Sequence, residues 1–158
     1  MALNIFATIL AVGILWINMG KVSAFTDKDM YEAQFDRRIH DTVFAEVGAG
    51  RKDEVSAVVS VFLNRVDKEG YEKALKGSSA YNKQSPQYKK ASLNKLNPLE
   101  KAVYLRNQKI TEGLIRNANK RQPFYSFENV KTFGEPKWAK GLKYQDIGRQ
   151  RFYYASSD

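Results

Sequence analysis

The chain has no cysteine and a single histidine, His40. Those two absences exclude a disulfide framework and any zinc site built on Cys and His ligands, and no other metal or cofactor is expected. Acidic residues are also few, 17 against 26 lysines and arginines, for a net charge of +9. Such an excess points to an anionic partner: nucleic acid, a membrane surface or a bacterial wall polymer. Basic residues are spread along the chain, most of them from Lys68 to Arg151, rather than forming a tail. They build no zinc finger or RNA-recognition signature, so no specific nucleic-acid partner is expected. There is no internal repeat and no low-complexity segment. With 158 residues, 43% apolar and 13% aromatic, the chain is long enough for one hydrophobic core and too short for two ordinary domains. A monomer is expected.

The N-terminus is the one long apolar stretch. Residues 5–17 are interrupted only by Thr8, and Val22-Ser23-Ala24 follows as a small-residue cleavage sequence. The positive region that normally precedes an export signal is missing, which leaves a retained anchor as the other reading. As a helix, residues 2–19 span about 27 Å against a hydrocarbon core of ~30 Å, a marginal crossing. Residues 1–24 are therefore read as a signal peptide or a membrane anchor, and residues 25–158 as the functional domain. Either form carries the domain out of the cytoplasm, to the periplasm or to the periplasmic side of the inner membrane. Loss of residues 1–24 removes Lys21 and no acid, leaving 25 basic against 17 acidic side chains, a charge of +8.

Periodicity makes the domain mainly α. Thr26 or Asp27 can cap a first helix reaching about Val47, with Gly48 and Gly50 as its exit. Asp53 can cap a second, whose residues Val55, Val58, Val59, Phe62, Leu63 and Val66 follow the helical period. Ala57 and Val61 make its other side apolar too, so this helix is expected to be central and buried, ending at Gly70. Residues 71–95 read as an irregular, lysine-rich arm with short helical turns. Asn97-Pro98-Leu99-Glu100 then combines a cap, a proline at the first helical position and a glutamate at the third. It predicts a helix from 98 to about 119 with a buried stripe of Leu99, Val103, Ile110 and Leu114. Residues 122–158 read as loops and short strands packed over a cleft, an α+β arrangement overall.

Glu46 is the leading candidate for chemistry. Phe35, Ile39, Thr42 and Glu46 lie three or four residues apart and share a helix face, which sets the carboxyl against apolar neighbours. Such a setting favours the proton-donating form that glycosidic bond cleavage needs. His40, about 240° away around the same helix, is expected to be structural. Asp53, Glu54 and Glu128 are candidate second carboxylates, with Asp53 more at home as a cap and the other two as exposed residues. Tyr81, Tyr125 and Trp138 fall in irregular segments and are the candidate aromatic platforms for a ligand with a flat apolar face. Phe62 and Phe152 are expected in the core.

Two ordered motifs carry a resemblance. Ala45-Glu46-Val47-Gly48-Ala49-Gly50, a charged turn and a valine-rich helix ending in Leu63-Asn64-Arg65-Val66 resemble the start of the SleB/CwlJ-type cell-wall hydrolases, which include spore-cortex-lytic enzymes and phage lysins. Pro136-Lys137-Trp138-Ala139 and Ile147-Gly148-Arg149-Gln150-Arg151-Phe152-Tyr153 are similar to that family's closing P-x-W-A and I-G-x-x-x-F-Y elements. Together they bracket roughly residues 38–154. One departure lies between them: an acidic, Gly-rich, His-containing stretch common in the family is replaced here by Phe124-Tyr125-Ser126-Phe127-Glu128-Asn129-Val130.

The resemblance implies a lysozyme-like domain preceded by an apolar N-terminal helix, acting on peptidoglycan glycan strands. It implies cleavage of the MurNAc–GlcNAc bond by a lytic transglycosylase, with Glu46 first as acid and then as base and the substrate's N-acetyl group assisting. If water rather than the C6 hydroxyl is activated, the enzyme is a muramidase. Asn64, within the matched motif, is counted with the substrate-binding residues and is expected to organise hydrogen bonds near the helix end rather than perform chemistry. A phage lysin or wall-penetration enzyme, free or virion-associated, fits these expectations. The competing reading is a non-catalytic, membrane-tethered or wall-binding protein with the same basic surface.

Overall fold

The computed structural model describes residues 36–155, all within one compact unit, Gln34–Asp158. The apolar N-terminal segment, with the expected cleavage point and the candidate caps Thr26 and Asp27, lies outside the described residues. The described chain is mainly helical with a small antiparallel sheet, and among its helices none is long and apolar enough to cross a membrane.

Helix α1, Arg37–Val47, starts at Asp36 rather than ten residues earlier. The Asp36 carboxylate accepts from the Arg38 backbone N–H at 2.8 Å and from the Tyr71 hydroxyl at 2.8 Å, and it pairs with the Arg38 guanidinium at 2.7 Å. A cap so well held fixes the first turn. The helix ends as expected at Gly48, whose φ of 51° is open to glycine at little cost and whose N–H closes on Phe44 O at 2.8 Å.

Helix α2, Lys52–Glu69, is the buried axis of the domain, with Val55, Ala57, Val58, Val59, Val61, Phe62, Leu63 and Val66 all enclosed. It packs against α1 and against residues 71–76, 98–115 and 124–128. Gly70 stops it, at φ 85°. Asp53 is not its cap: the helix begins one residue before Asp53, which turns outward to an ion pair with Arg51.

The lysine-rich arm is more ordered than its composition implies. It folds into three short helices, α3 (Tyr71–Lys76), α4 (Ser79–Asn82) and α5 (Pro86–Ser92). Ala74, Leu75, Ala80, Tyr88 and Ala91 plug them into the core. Helix α6, Pro98–Ile115, has the capping box read from its sequence: Asn97 Oδ1 accepts from Glu100 N, and Glu100 Oε2 from Asn97 N, both at 2.9 Å.

Its inward face differs from the apolar stripe. Leu99 is 76% exposed, Val103 and Ile110 are half-buried, and of the expected four only Leu114 is enclosed. The face turned inward carries Tyr104, Asn107, Thr111 and Leu114 instead. The reason is the elbow between α1 and α2, which presents free backbone carbonyls. Asn107 Nδ2 donates to Gly48 O at 2.9 Å and Arg106 Nη2 to Gly50 O at 2.8 Å. An unpaired buried carbonyl costs about 1–3 kcal/mol, enough to select amide and guanidinium donors over methyl groups.

After α6 come a 3₁₀ turn (Ala118–Lys120), strand β1 (Phe124–Glu128), helix α7 (Val130–Phe133) and a second 3₁₀ turn (Lys137–Ala139). Strands β2 (Tyr144–Ile147) and β3 (Gln150–Tyr154) complete an antiparallel sheet of order β1-β3-β2. Ile147 pairs with Gln150, leaving a two-residue turn whose first residue, Gly148, has φ +62°, the position at which a II′ hairpin takes glycine. Phe124, Phe152 and Tyr153 are fully buried, β1 packs on α2, and both Phe62 and Phe152 are core residues as expected.

Candidate active site

A cleft of about 660 Å³ opens between the end of α1, the middle of α2, the start of the arm and the β1–α7 region. Glu46 stands on its wall, one residue from the end of α1. Its Oε1 accepts from the Ser78 hydroxyl at 2.6 Å and from the Ala80 backbone N–H at 2.7 Å. Ala80 lies in the first turn of α4, where a backbone N–H lacks a helical partner and seeks an outside acceptor. Oε2 makes no hydrogen bond to a described residue. The apolar side expected from helix periodicity is present in Val43, Val58 and Phe62. The Ser78 and Ala80 donors make the setting mixed rather than wholly apolar.

Of the three candidate second carboxylates, one shares this cleft. Glu128, at the end of β1, lines it and is steadied by the Asn129 N–H, which donates to its Oε1 at 2.9 Å. Asp53 sits outside, paired with Arg51. Glu54 corrects the expectation of an exposed residue, being only 2% exposed. The α2 start faces the β2–β3 turn, where Arg149 N donates to Glu54 Oε1 at 3.2 Å. A Cβ at Gly148 would fall 2.5 Å from Glu54 Cδ, and one at Gly50 2.7 Å from Glu54 Oε2. The two glycines leave room for a carboxylate that joins the first motif to the last.

Cations and aromatics complete the cleft. Arg65 lines it with its guanidinium paired to Glu69 at 2.7 Å, and Gly77 lies so close that a Cβ there would meet Arg65 Cζ at 2.6 Å. Lys83 lines the same wall. Phe133 and Trp138 are 76% and 54% exposed, large apolar faces open to a ligand. Trp138 is backed by Tyr153, ring centres 5.1 Å apart at 67°. Two enclosed polar atoms on cleft residues, Thr42 Oγ1 and Gln150 Oε1, have no hydrogen-bond partner among the described residues.

The expected site residues thus divide. Glu46 and Trp138 meet in one cleft. Tyr125 lies beyond Trp138 in a neighbouring pocket of about 300 Å³. Tyr81 lines neither cavity and packs edge-on against Tyr88 at 5.4 Å. Asn64 is not a ligand-facing residue, because its Nδ2 donates to Gln122 O at 2.7 Å and Phe124 O at 2.9 Å, holding the entry to β1. Ser78, Arg65, Lys83, Phe133 and Gln150 were not among the candidates. Only Phe133, an aromatic directly before the turn residue Gly134, carried a local signal.

Behind the cleft, α1 is braced to α6 through the buried Asp41, which accepts from the Tyr104 hydroxyl at 2.9 Å and pairs with Arg37 at 3.4 Å. Burial first, and then the Asp41 carboxylate, push the Tyr104 hydroxyl up to about 12. It stays a proton donor at any physiological pH. Neither family models, nor curated proteins, nor solved structures match this chain.

Proposed function

We propose that the protein is a peptidoglycan-cleaving glycosidase with a lysozyme-like domain, acting on the MurNAc–GlcNAc bond as a lytic transglycosylase with Glu46 as general acid and then base. The observation that carries this reading is Glu46 itself. One carboxyl oxygen is anchored by Ser78 and Ala80, the other is unbonded, and both belong to a side chain on an open cleft walled by Trp138 and Phe133.

In the first step Glu46 gives its proton to the glycosidic oxygen as the bond to the muramyl C1 breaks. The carbonyl oxygen of that sugar's own N-acetyl group shares the positive charge at C1. In the second, the Glu46 carboxylate takes the proton of the C6 hydroxyl as its oxygen closes on C1, giving a 1,6-anhydro end and restoring the acid. Stacking on Trp138 would hold the sugar ring through this sequence.

Glu128 favours a second reading by sharing the cleft. If it activates a water, the product is a reducing end and the enzyme a muramidase. An exported, wall-directed role, as a phage lysin or wall-penetration enzyme, follows from the basic surface and the N-terminal segment. A non-catalytic wall-binding protein is the competing class. Digestion of purified peptidoglycan, with the released muropeptides identified by mass, separates all three: anhydro ends, reducing ends or no release.

A further inference from the structure

Trp138 belongs to two cavities. Beyond it lies the smaller pocket, which shares Ser126 and Trp138 with the cleft and adds Lys68, Tyr125, Leu142 and Tyr154. Its chemistry differs from that of the cleft. The cleft holds both carboxylates, Glu46 and Glu128, whereas among the described residues no acidic side chain lines the smaller pocket. Lys68 Nζ stands 5.6 Å from the centre of the Tyr125 ring, and Lys143 Nζ 4.9 Å from that of Tyr154. Neither ammonium has a carboxylate partner among the described residues. Of the two, Lys68 lines the pocket, and its ammonium over Tyr125, beside Leu142 and Tyr154, makes a place for a ligand that is short, partly apolar and anionic.

Because Ser126 and Trp138 line both cavities, a ligand resting on Trp138 in the cleft borders that pocket. We propose that the Lys68–Tyr125 pocket is a subsite for the acidic peptide carried on the muramyl lactyl group, so that the enzyme selects peptide-bearing strands over bare glycan. This rests on the glycosidase reading, which supplies the glycan in the cleft. The free carboxylate of the peptide would meet Lys68, and its apolar side chains Leu142 and the Tyr125 and Tyr154 rings.

The experiment has a binding arm and an activity arm, both on the full chain. N-acetylmuramyl-L-alanyl-D-glutamate is titrated by calorimetry into wild type, Lys68→Met and Lys68→Glu, with the fully amidated compound as control. Saturable binding by wild type, weakened about fivefold in Lys68→Met, further in Lys68→Glu, and weak for the amidated compound, is the expected result for one partly exposed charge contact. In the activity arm, KM for peptide-bearing strands rises by a similar factor in Lys68→Met, with turnover of peptide-stripped strands unchanged. Absent binding, equal binding of the amidated compound, or unchanged affinity in Lys68→Glu overturns the subsite whatever the catalytic outcome. If the peptide binds through Lys68 while neither strand is cut, the glycosidase reading falls and the subsite stands.

Discussion

Glu46 and Glu54 are eight residues apart on either side of the same elbow, and the core reaches both, yet they are opposites. Glu54 is enclosed by Gly50, Gly148 and the Arg149 N–H, with no access for a ligand. Glu46 has one oxygen equally well held and the other unbonded on a cleft wall. Contact with the core is therefore not what separates a cleft carboxyl from an enclosed one. The difference lies in which oxygen is left over and what can reach it. The two carboxylates are also mechanically related, since α6 grips the elbow between them through Asn107 and Arg106.

The sharpest test of that contrast is Glu46→Gln. The amide keeps the shape and can still accept from Ser78 and Ala80, but it has no proton to give. Loss of general acid catalysis should lower glycan cleavage by about 10²- to 10⁴-fold, while the melting temperature stays near wild type. Wild-type turnover in a folded Glu46→Gln protein would remove Glu46 from the mechanism. A Glu54→Gln protein assayed alongside should retain most of its turnover per folded molecule.

Next in size is Gly148→Ala, aimed at the enclosed member of the pair. The new methyl collides with the Glu54 carboxylate and also forces a positive φ on alanine. Overpacking and backbone strain together should cost about 3 kcal/mol of stability, read as a lower denaturant midpoint. The double variant Gly148→Ala with Glu54→Ala relieves the collision and should recover part of that loss. If the single variant melts like wild type, the Glu54 clamp is not a structural joint.

These two tests fall unevenly on what could be read from the residues. The buried α2, the Gly70 stop, the capping box at Asn97 and the place of Glu46 were legible because each is local: periodicity or a cap needs only its near neighbours. The partners of Glu46 were not, because Ser78 and Ala80 lie more than thirty residues on, in an arm whose short helical turns were expected but whose contacts no local pattern records. Hydrophobic periodicity misplaced the inward face of α6 for a related reason. What Asn107 and Arg106 satisfy are carbonyls at Gly48 and Gly50, and a pattern of apolar residues holds no record of carbonyls elsewhere in the chain. Glu54 likewise looked exposed until the β2–β3 turn closed over it. Asn64 was legible as an organiser of hydrogen bonds, although the groups it organises are the backbone at β1 rather than a ligand.

A smaller effect is expected from Ser78→Ala, which removes one of the two donors that hold Glu46 Oε1. The Ala80 N–H remains, so the carboxyl loses aim rather than its place. A single hydrogen bond to a charged or partly charged group is worth about 1–1.5 kcal/mol, and kcat should fall roughly five- to tenfold with little change in KM. A change in KM alone would instead place Ser78 in substrate binding. Ser78→Thr, which restores a hydroxyl, should regain most of the loss.

The smallest effect concerns the far side of α1, and it asks whether that face is independent of the cleft. His40 is half-buried, and its Nδ1 has no hydrogen-bond partner among the described residues. Burial holds the imidazole below its ordinary value of 6.5, against the opposing pull of Glu112, Asp41 and Asp36. Because the folded value is depressed, the unfolded chain takes up the proton first. The stability associated with a neutral His40 is therefore fully present above pH 6.5 and is lost as pH falls through the lower folded value. Asp36 is also held low, by the Tyr71 hydroxyl and then Arg38, as are Asp53 and Asp146 by Arg51 and Arg151, but from 3.8, so their losses begin at more acid pH. Melting curves of wild type should thus slope downward between pH 7 and 5, and His40→Gln should flatten that slope. The pH dependence of glycan cleavage, measured well below the melting range, should be the same in both proteins, since His40 lies outside the cleft lining. A His40→Gln protein that melts with the wild-type slope would assign the acid sensitivity elsewhere, and one whose activity profile moves would join the two faces of α1 into a single site.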